Sequence, residues 1–346
     1  MPLPGGLGLK RSRVMERVGV VGAGAWGTTL AKLLTEKGYS VALWVWEREL
    51  AVTMAKEHEN SLYLPGVELP EALEITNSLA EVARGCSALL LVTPSHILRS
   101  VCAELLLLIR ESTLLIIATK GLEPGSCMTM SQVLHEIVPS PRTPAVLSGP
   151  TFAKEVSRGL PAAAVAASAE AAVALQVQAL LGTPTFRVYA GSDPLGVEVG
   201  GAIKNVIAIA AGIVDGLGLG HNALAALITR GLHEMSRLGV AMGARAETFA
   251  GLAGLGDLVL TCTGDLSRNR QLGLALGRGA SLFELLQHSP TVKEGVNASK
   301  AAVDLACRFS VDMPICRETY AVLFERRSLQ EAVTSLLGRA LKSEEA

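Results

Sequence analysis

The sequence predicts an α/β protein: a Rossmann-type, doubly wound and mostly parallel sheet, followed by a second, all-helical domain. Three observations carry this. Short apolar runs alternate with helical periodicity from residue 17 to about 190, a pattern of repeated strand–helix–strand units. The first run opens directly into the glycine pattern Gly22-x-Gly24-x-x-Gly27. After Asp193 strand signals nearly vanish, and long stretches rich in Ala and Gly read as closely packing helices.

In chain order, strands are expected over 18–21, 41–46, 87–93, 113–119 and 144–148. Two more, 162–167 and 185–189, flank an Ala-rich helix over 170–181 and extend the same sheet. Helices are expected over 26–37, 49–57, 96–109 and 129–138, with Gly38 ending the first as a residue just past a helix C-terminus does. Beyond the turn marked by Gly191, Asp193 and Pro194, helices are expected over 200–214, 223–238, 270–276, 296–307 and 315–324. The predicted organisation is a flexible extension (1–14, with Met15 an alternative start), a dinucleotide-binding domain (15–193), a helical substrate domain (194–341) and a polar tail (342–346).

Composition narrows the function classes. The 346 residues are 49% apolar and 18% charged, enough to bury a large core. Mean hydropathy is high, at +0.39. Yet the densest apolar runs (41–46, 88–92, 105–109, 114–118) are far shorter than the roughly 20 residues of a bilayer span, so no membrane span is expected. A net charge of −1 gives no field that would favour nucleic acid. Six scattered cysteines without a CxxC pair read as reduced thiols in a cytoplasmic protein, and the N-terminus has no apolar signal core. No metal site is expected.

The glycine pattern has the context of a dinucleotide fingerprint, following a strand and opening a helix. Gly22 permits the tight turn, Gly24 lets the backbone approach a pyrophosphate, and Gly27 lets helix and strand pack closely. At the end of the second strand, Trp46-Glu47-Arg48 leaves the cofactor open between NAD and NADP. Glu47 suits a ribose 2′-hydroxyl and Arg48 a 2′-phosphate, while Trp46 either stacks on adenine or finishes a buried strand.

Further polar residues stand where such a sheet places its ligands, or interrupt apolar helices. Thr93-Pro94-Ser95-His96 ends a strand, with Ser95 a helix cap. Lys120 follows a buried strand, a point charge suited to a phosphate or a polarised carbonyl, or else a solvated loop lysine. Gly149 and Pro150 end the next strand and Thr151 can cap a short helix whose free N–H groups face an anion, or else the segment is an ordinary turn. Lys204 and Asn205 interrupt an apolar helix. A buried lysine needs a partner, and desolvation lowers its pKa towards the range useful for proton transfer. Asp257, in a glycine-rich apolar stretch, is a candidate partner for Lys204 or a plain helix cap. Ser267-Arg268-Asn269 offers a phosphate grip, or merely a polar helix start.

Taken together and in order, Gly22-Ala-Gly-Ala-Trp-Gly27, Pro94-Ser-His96, Ala118-Thr-Lys-Gly-Leu122, Ser148-Gly-Pro-Thr-Phe-Ala-Lys154, Lys204-Asn-Val-Ile-Ala208, Gly254-Leu-Gly-Asp-Leu258 and Ser267-Arg-Asn-Arg270 resemble the bacterial-type NAD(P)-dependent glycerol-3-phosphate dehydrogenases, from about residue 17 to 341. The resemblance implies a C-terminal domain like that of 6-phosphogluconate dehydrogenase. It also implies reversible hydride transfer between NAD(P)H and dihydroxyacetone phosphate, giving sn-glycerol 3-phosphate for phospholipid synthesis, in a cytoplasmic homodimer. It implies Lys204 as general acid/base with Lys120 and Asp257 as catalytic partners. Lys120, Gly149, Thr151, Asn205, Asp257, Ser267, Arg268 and Asn269 would contact substrate. Gly22, Gly24, Ala25, Trp26, Gly27, Trp46, Glu47, Lys120, Ala153, Arg268, Val292 and Glu294 would contact the cofactor. Trp46 departs from the smaller or basic residue of many members. Competing readings are a hydroxy-acid or ketopantoate dehydrogenase of similar architecture, and a nucleotide sensor without turnover. The lysine pair argues against the sensor. Catalysis through Cys262 is disfavoured, since a lone Cys in an apolar stretch is usually inert.

Overall fold

The computed structural model describes residues 16–137, 142–288, 293–341 and 343–344. The predicted extension 1–14, Val292 and most of the tail lie outside the described residues. The chain builds β1 (Arg17–Val21), α1 (Ala25–Glu36), β2 (Ser40–Trp44), α2 (Arg48–Glu57), β3 (Glu74–Thr76), α3 (Leu79–Ala83), β4 (Ala88–Leu91), α4 (Ser95–Leu105), β5 (Leu114–Ile117), α5 (Met130–Ile137), β6 (Ala145–Ser148), α6 (Ala153–Val156), β7 (Ala162–Ala167), α7 (Ala171–Leu181) and β8 (Phe186–Gly191). These eight strands form one sheet in the order β3-β2-β1-β4-β5-β6-β7-β8. The strands from β3 to β6 pair in parallel, β7 runs antiparallel to β6, and β8 is parallel to β7.

That reversal was not expected, and it has a local cause. The connection from β6 to β7, residues 149–161, carries only the one-turn α6, whereas a parallel crossover is usually made by a full helix. The strand β3 and helix α3 also went unpredicted. β3 is three residues long, begins with an exposed Glu74, and lacks a strand's apolar run.

Each interior strand buries alternate residues on opposite faces. Val18, Val20, Leu43 and Leu90 join one core with Leu30, Leu34 and Met54. Val21, Ala42, Leu89 and Leu91 join a second with Leu98, Val101 and Leu105.

The remaining helices are α8 (Pro194–Gly216), α9 (Gly220–Ala241), α10 (Ala246–Phe249), a π-helical turn (Leu252–Gly256), α11 (Asp257–Thr263), α12 (Arg268–Gly277), α13 (Leu282–His288), α14 (Lys293–Phe309), α15 (Pro314–Phe324) and α16 (Leu329–Leu337). Asp193 starts α8 as its N-cap, accepting from Gly196 N–H at 3.0 Å. It also accepts from Arg245 N–H at 2.9 Å and Thr248 Oγ1 at 2.6 Å, so the turn is locked to the α9–α10 connection.

Helix α8 is long and apolar enough to cross a membrane, but its whole apolar window is buried within the protein. It is the shared core element, packing on β6 and α5 as well as on α9, α11, α12, α14 and α15. Against α12 it uses glycines: a Cβ on Gly212 would lie 2.7 Å from Leu274 N, and one on Gly277 would lie 2.8 Å from Gly216 Cα.

Candidate active site

Two groups of residues meet at the C-terminal edge of the parallel strands, where open α/β sheets bind ligands. The first is the turn from β1 into α1. Gly22 has φ +114°, a left-handed conformation open to glycine, and a Cβ there would lie 2.7 Å from the Val92 carbonyl oxygen. A Cβ on Gly27 would overlap the Gly22 carbonyl, so glycine is required for α1 to approach the strand. Gly24 differs: it is exposed, and a Cβ there would meet nothing within 4 Å. No side chain caps the first turn of α1. An open glycine beside an uncapped helix N-terminus fits a pyrophosphate. Beside it lie two buried polar atoms without hydrogen-bond partners, Trp26 Nε1 and Thr93 Oγ1, which further suits the cleft to a polar ligand.

Ala25 is the first residue of α1. Trp26 does not present its ring as a free stacking platform: it is partly buried and packs edge-on to Phe186 at 6.1 Å. Trp46 corrects one expectation. β2 ends at Trp44, so Trp46 finishes no buried strand; it is 72% exposed and packs edge-on to Trp44. Glu47 is the N-cap residue of α2. Ala153 opens α6, and its carbonyl accepts from Thr29 Oγ1 of α1 at 3.2 Å.

The second group surrounds Asp257. Its carboxylate is buried at the start of α11, straight after the π-helical turn. Such turns recur at functional sites. Oδ1 pairs with Lys204 Nζ at 2.5 Å, and Oδ2 accepts from Lys120 Nζ at 2.8 Å. Lys204 Nζ also donates to Thr261 Oγ1 at 3.1 Å, and Lys120 Nζ to the Gly149 carbonyl at 3.1 Å. One carboxylate thus holds two ammonium groups, from α8 and from the turn after β5.

Burial pushes the Lys204 ammonium down to about 8, against the opposing pull of Asp257, and Lys120 adds to the lowering. Burial raises Asp257, but the two lysines more than offset this and hold its carboxyl below the ordinary aspartate range. Glu294, at the start of α14, is raised by burial despite the nearby positive charges of Arg268, Lys204 and Lys120.

Asn205, next to Lys204 on α8, accepts at Oδ1 from Asn269 Nδ2 at 2.9 Å, tying α8 to the first turn of α12. Ser267 Oγ is the α12 cap, accepting from Arg270 N–H at 3.2 Å, while Arg268 is exposed beside it. Arg270 is occupied elsewhere, paired with Asp215 and Asp265.

Two expected caps are corrected: Phe152, not Thr151, precedes α6, and Pro94, not Ser95, precedes α4. Thr151 Oγ1 instead donates to the Gly149 carbonyl at 3.2 Å. The sequence reading missed Thr261, although its spacing four residues after Asp257 on a helix was a usable signal. It also missed the Ser148 hydroxyl, buried and without a hydrogen-bond partner at the end of β6. Cys262 is buried and its thiol is pushed up to about 12, which leaves it no nucleophilic role. Among the described residues no cluster of His, Cys, Asp or Glu is arranged to hold a metal.

Comparison with known proteins agrees with this geometry. The family models for the N-terminus and C-terminus of NAD-dependent glycerol-3-phosphate dehydrogenase match residues 17–174 and 193–334. A glycerol-3-phosphate dehydrogenase (NAD(P)+) from Geobacter sulfurreducens is 56% identical over 331 residues, covering 95% of this chain and 99% of its own. A relative of the same description from Geobacter metallireducens is 54% identical, covering 95% and 99%. The crystal structure of glycerol-3-phosphate dehydrogenase from Coxiella burnetii superposes with a TM-score of 0.90 at 41% identity, covering 94% of this chain and 99% of that one. The chain therefore belongs to the NAD(P)-dependent glycerol-3-phosphate dehydrogenases, a family of oxidoreductases.

Proposed function

We propose that the chain interconverts dihydroxyacetone phosphate and sn-glycerol 3-phosphate at the Lys120–Asp257–Lys204 cluster. The observation that carries this reading is one buried carboxylate gripping two lysines beside a dinucleotide turn. We take residues 15–193 as the cofactor domain and 194–341 as the substrate domain.

When bound, NAD(P)H supplies the hydride that C2 of the substrate receives. Lys204 donates a proton from Nζ to the C2 oxygen as charge develops there, and takes it back in the reverse direction. Asp257 orients Lys204 through Oδ1 and Lys120 through Oδ2. Lys120 polarises the carbonyl. The N-terminus of α12, with Ser267, Arg268, Asn269 and the Asn205 that steadies it, takes the phosphate. Gly149 and Thr151 line the substrate from the end of β6. Gly22, Gly24, Ala25, Trp26, Gly27, Trp46, Glu47, Lys120, Ala153, Arg268 and Glu294 would border the dinucleotide. Val292 is proposed with them on the family resemblance alone. On that resemblance we also place the enzyme in the cytoplasm as a homodimer, supplying glycerol phosphate to phospholipid synthesis.

The test is oxidation of NADPH or NADH, followed at the nicotinamide absorbance. Rapid oxidation with dihydroxyacetone phosphate and little with ketopantoate or simple keto acids is expected. Intact cofactor binding without oxidation of either cofactor would discard the substrate assignment.

A further inference from the structure

A chain of hydrogen bonds begins at the glycine turn and ends on Glu47. Asn60, fully buried, donates from Nδ2 to the Ala23 carbonyl at 2.7 Å and to Thr28 Oγ1 at 2.8 Å. Its Oδ1 accepts from Tyr63 N–H at 3.0 Å. The Tyr63 hydroxyl, half-buried, then donates to Glu47 Oε1 at 2.7 Å. From the other side Asn77 Nδ2 donates to the Val45 carbonyl at 2.8 Å and the Trp46 carbonyl at 2.7 Å, and the Asn77 carbonyl accepts from Trp44 Nε1 at 3.2 Å. The turn carrying Glu47 is therefore tied on both flanks, once to the pyrophosphate turn itself. These bonds complete no helix or strand, so their effect is to fix where one carboxylate sits.

We propose that Glu47, held by Tyr63 and Asn60, makes this chain select NADH over NADPH. The proposal rests on the dehydrogenase reading above and adds the choice of cofactor. A carboxylate just past the second strand accepts the adenosine ribose hydroxyls of NADH. In NADPH a 2′-phosphate would stand against that same carboxylate. Because Oε1 is already engaged by Tyr63, the carboxylate cannot swing aside without losing that bond. Trp46, the neighbour on one side, carries no charge to compensate. Arg48, on the other, is exposed on the first turn of α2, so it opposes the carboxylate only if its side chain turns back to the ribose, and Glu47 is the one of the two that is held in place. Built-in repulsion of this kind is how a site rejects a close analogue.

The experiment is calorimetric titration of the full chain with NADH and with NADPH at low ionic strength, which reads affinity without turnover. The wild-type chain is expected to bind NADH at least about tenfold more tightly, the scale of one unscreened like-charge contact. Glu47→Gln should bring the two affinities within about threefold of each other, mainly by strengthening NADPH binding. Tyr63→Phe keeps the charge but frees the carboxylate, and should weaken NADH and narrow the ratio. Equal or tighter binding of NADPH by the wild type, or an unchanged ratio in Glu47→Gln, overturns the proposal. Unchanged affinities in Tyr63→Phe overturn the clamp. Failure to bind either dinucleotide would overturn the dehydrogenase reading, and this proposal with it.

Discussion

Lys204 is costly where it is. A lysine taken out of water loses hydration that only a close, well-oriented anion restores. Asp257 restores part of it, and the rest appears as an ammonium lowered to about 8. That value has a signed consequence. Reduction of the carbonyl needs Lys204 protonated, so kcat/KM for dihydroxyacetone phosphate should be flat below about 8 and fall above it. Oxidation of glycerol 3-phosphate needs the neutral amine and should rise through the same region. Lys204→Ala should lower kcat at least about 10²-fold and abolish both limbs. Steady-state pH profiles in each direction check this, and near-normal turnover in the variant would remove Lys204 from the proton path.

At the scale of elements, the contact of α8 with α12 sets how near the phosphate grip lies to Lys204. Gly212 and Gly216 on one helix face Gly273 and Gly277 on the other, and the backbones touch where side chains would stand. An added methyl on Gly273 would lie 2.9 Å from Ile213 N and overlap the Ile209 carbonyl. Gly273→Ala should therefore destabilise the fold by about 1–3 kcal/mol, the range for overpacking. By prising Asn269 from Asn205 it should also raise KM for dihydroxyacetone phosphate by more than it weakens dinucleotide binding, which α12 reaches only through Arg268. Urea denaturation and paired KM and Kd measurements separate the two effects.

At the scale of the molecule, two buried glutamates join elements distant in sequence. Glu198 of α8 accepts from the Ser131 N–H at 2.8 Å and from its hydroxyl, at the start of α5. Glu234 of α9 accepts from Ile315 N–H at 2.7 Å and Cys316 N–H at 3.1 Å, at the start of α15. A carboxylate at a helix N-terminus is favourable. Here, however, burial outweighs the hydrogen bonds and raises both groups to about 7. A carboxyl raised in the folded state contributes stability that is present below its unfolded pKa and is lost as pH rises through about 7. The melting temperature of the Glu198→Gln, Glu234→Gln double variant should thus depend less on pH across that window than the wild type's. Parallel slopes in thermal melts from acid to neutral pH would refute it.

What the sequence determined by itself was local. Alternating apolar runs, the glycine turn, and polar residues interrupting apolar stretches are set by near neighbours, so the parallel strands other than β3, α1 and Lys120, Lys204 and Asp257 were legible, as was the pairing of Lys204 with Asp257. Only the tertiary structure decided that the same carboxylate also takes Lys120, 137 residues away. Only it turned β7 against β6, exposed Trp46, and brought Asn60 and Tyr63 to the cofactor turn. These contacts join segments whose sequences carry no mark of one another. They arise from the packing of whole elements, which fixes distances that no run of neighbouring residues encodes.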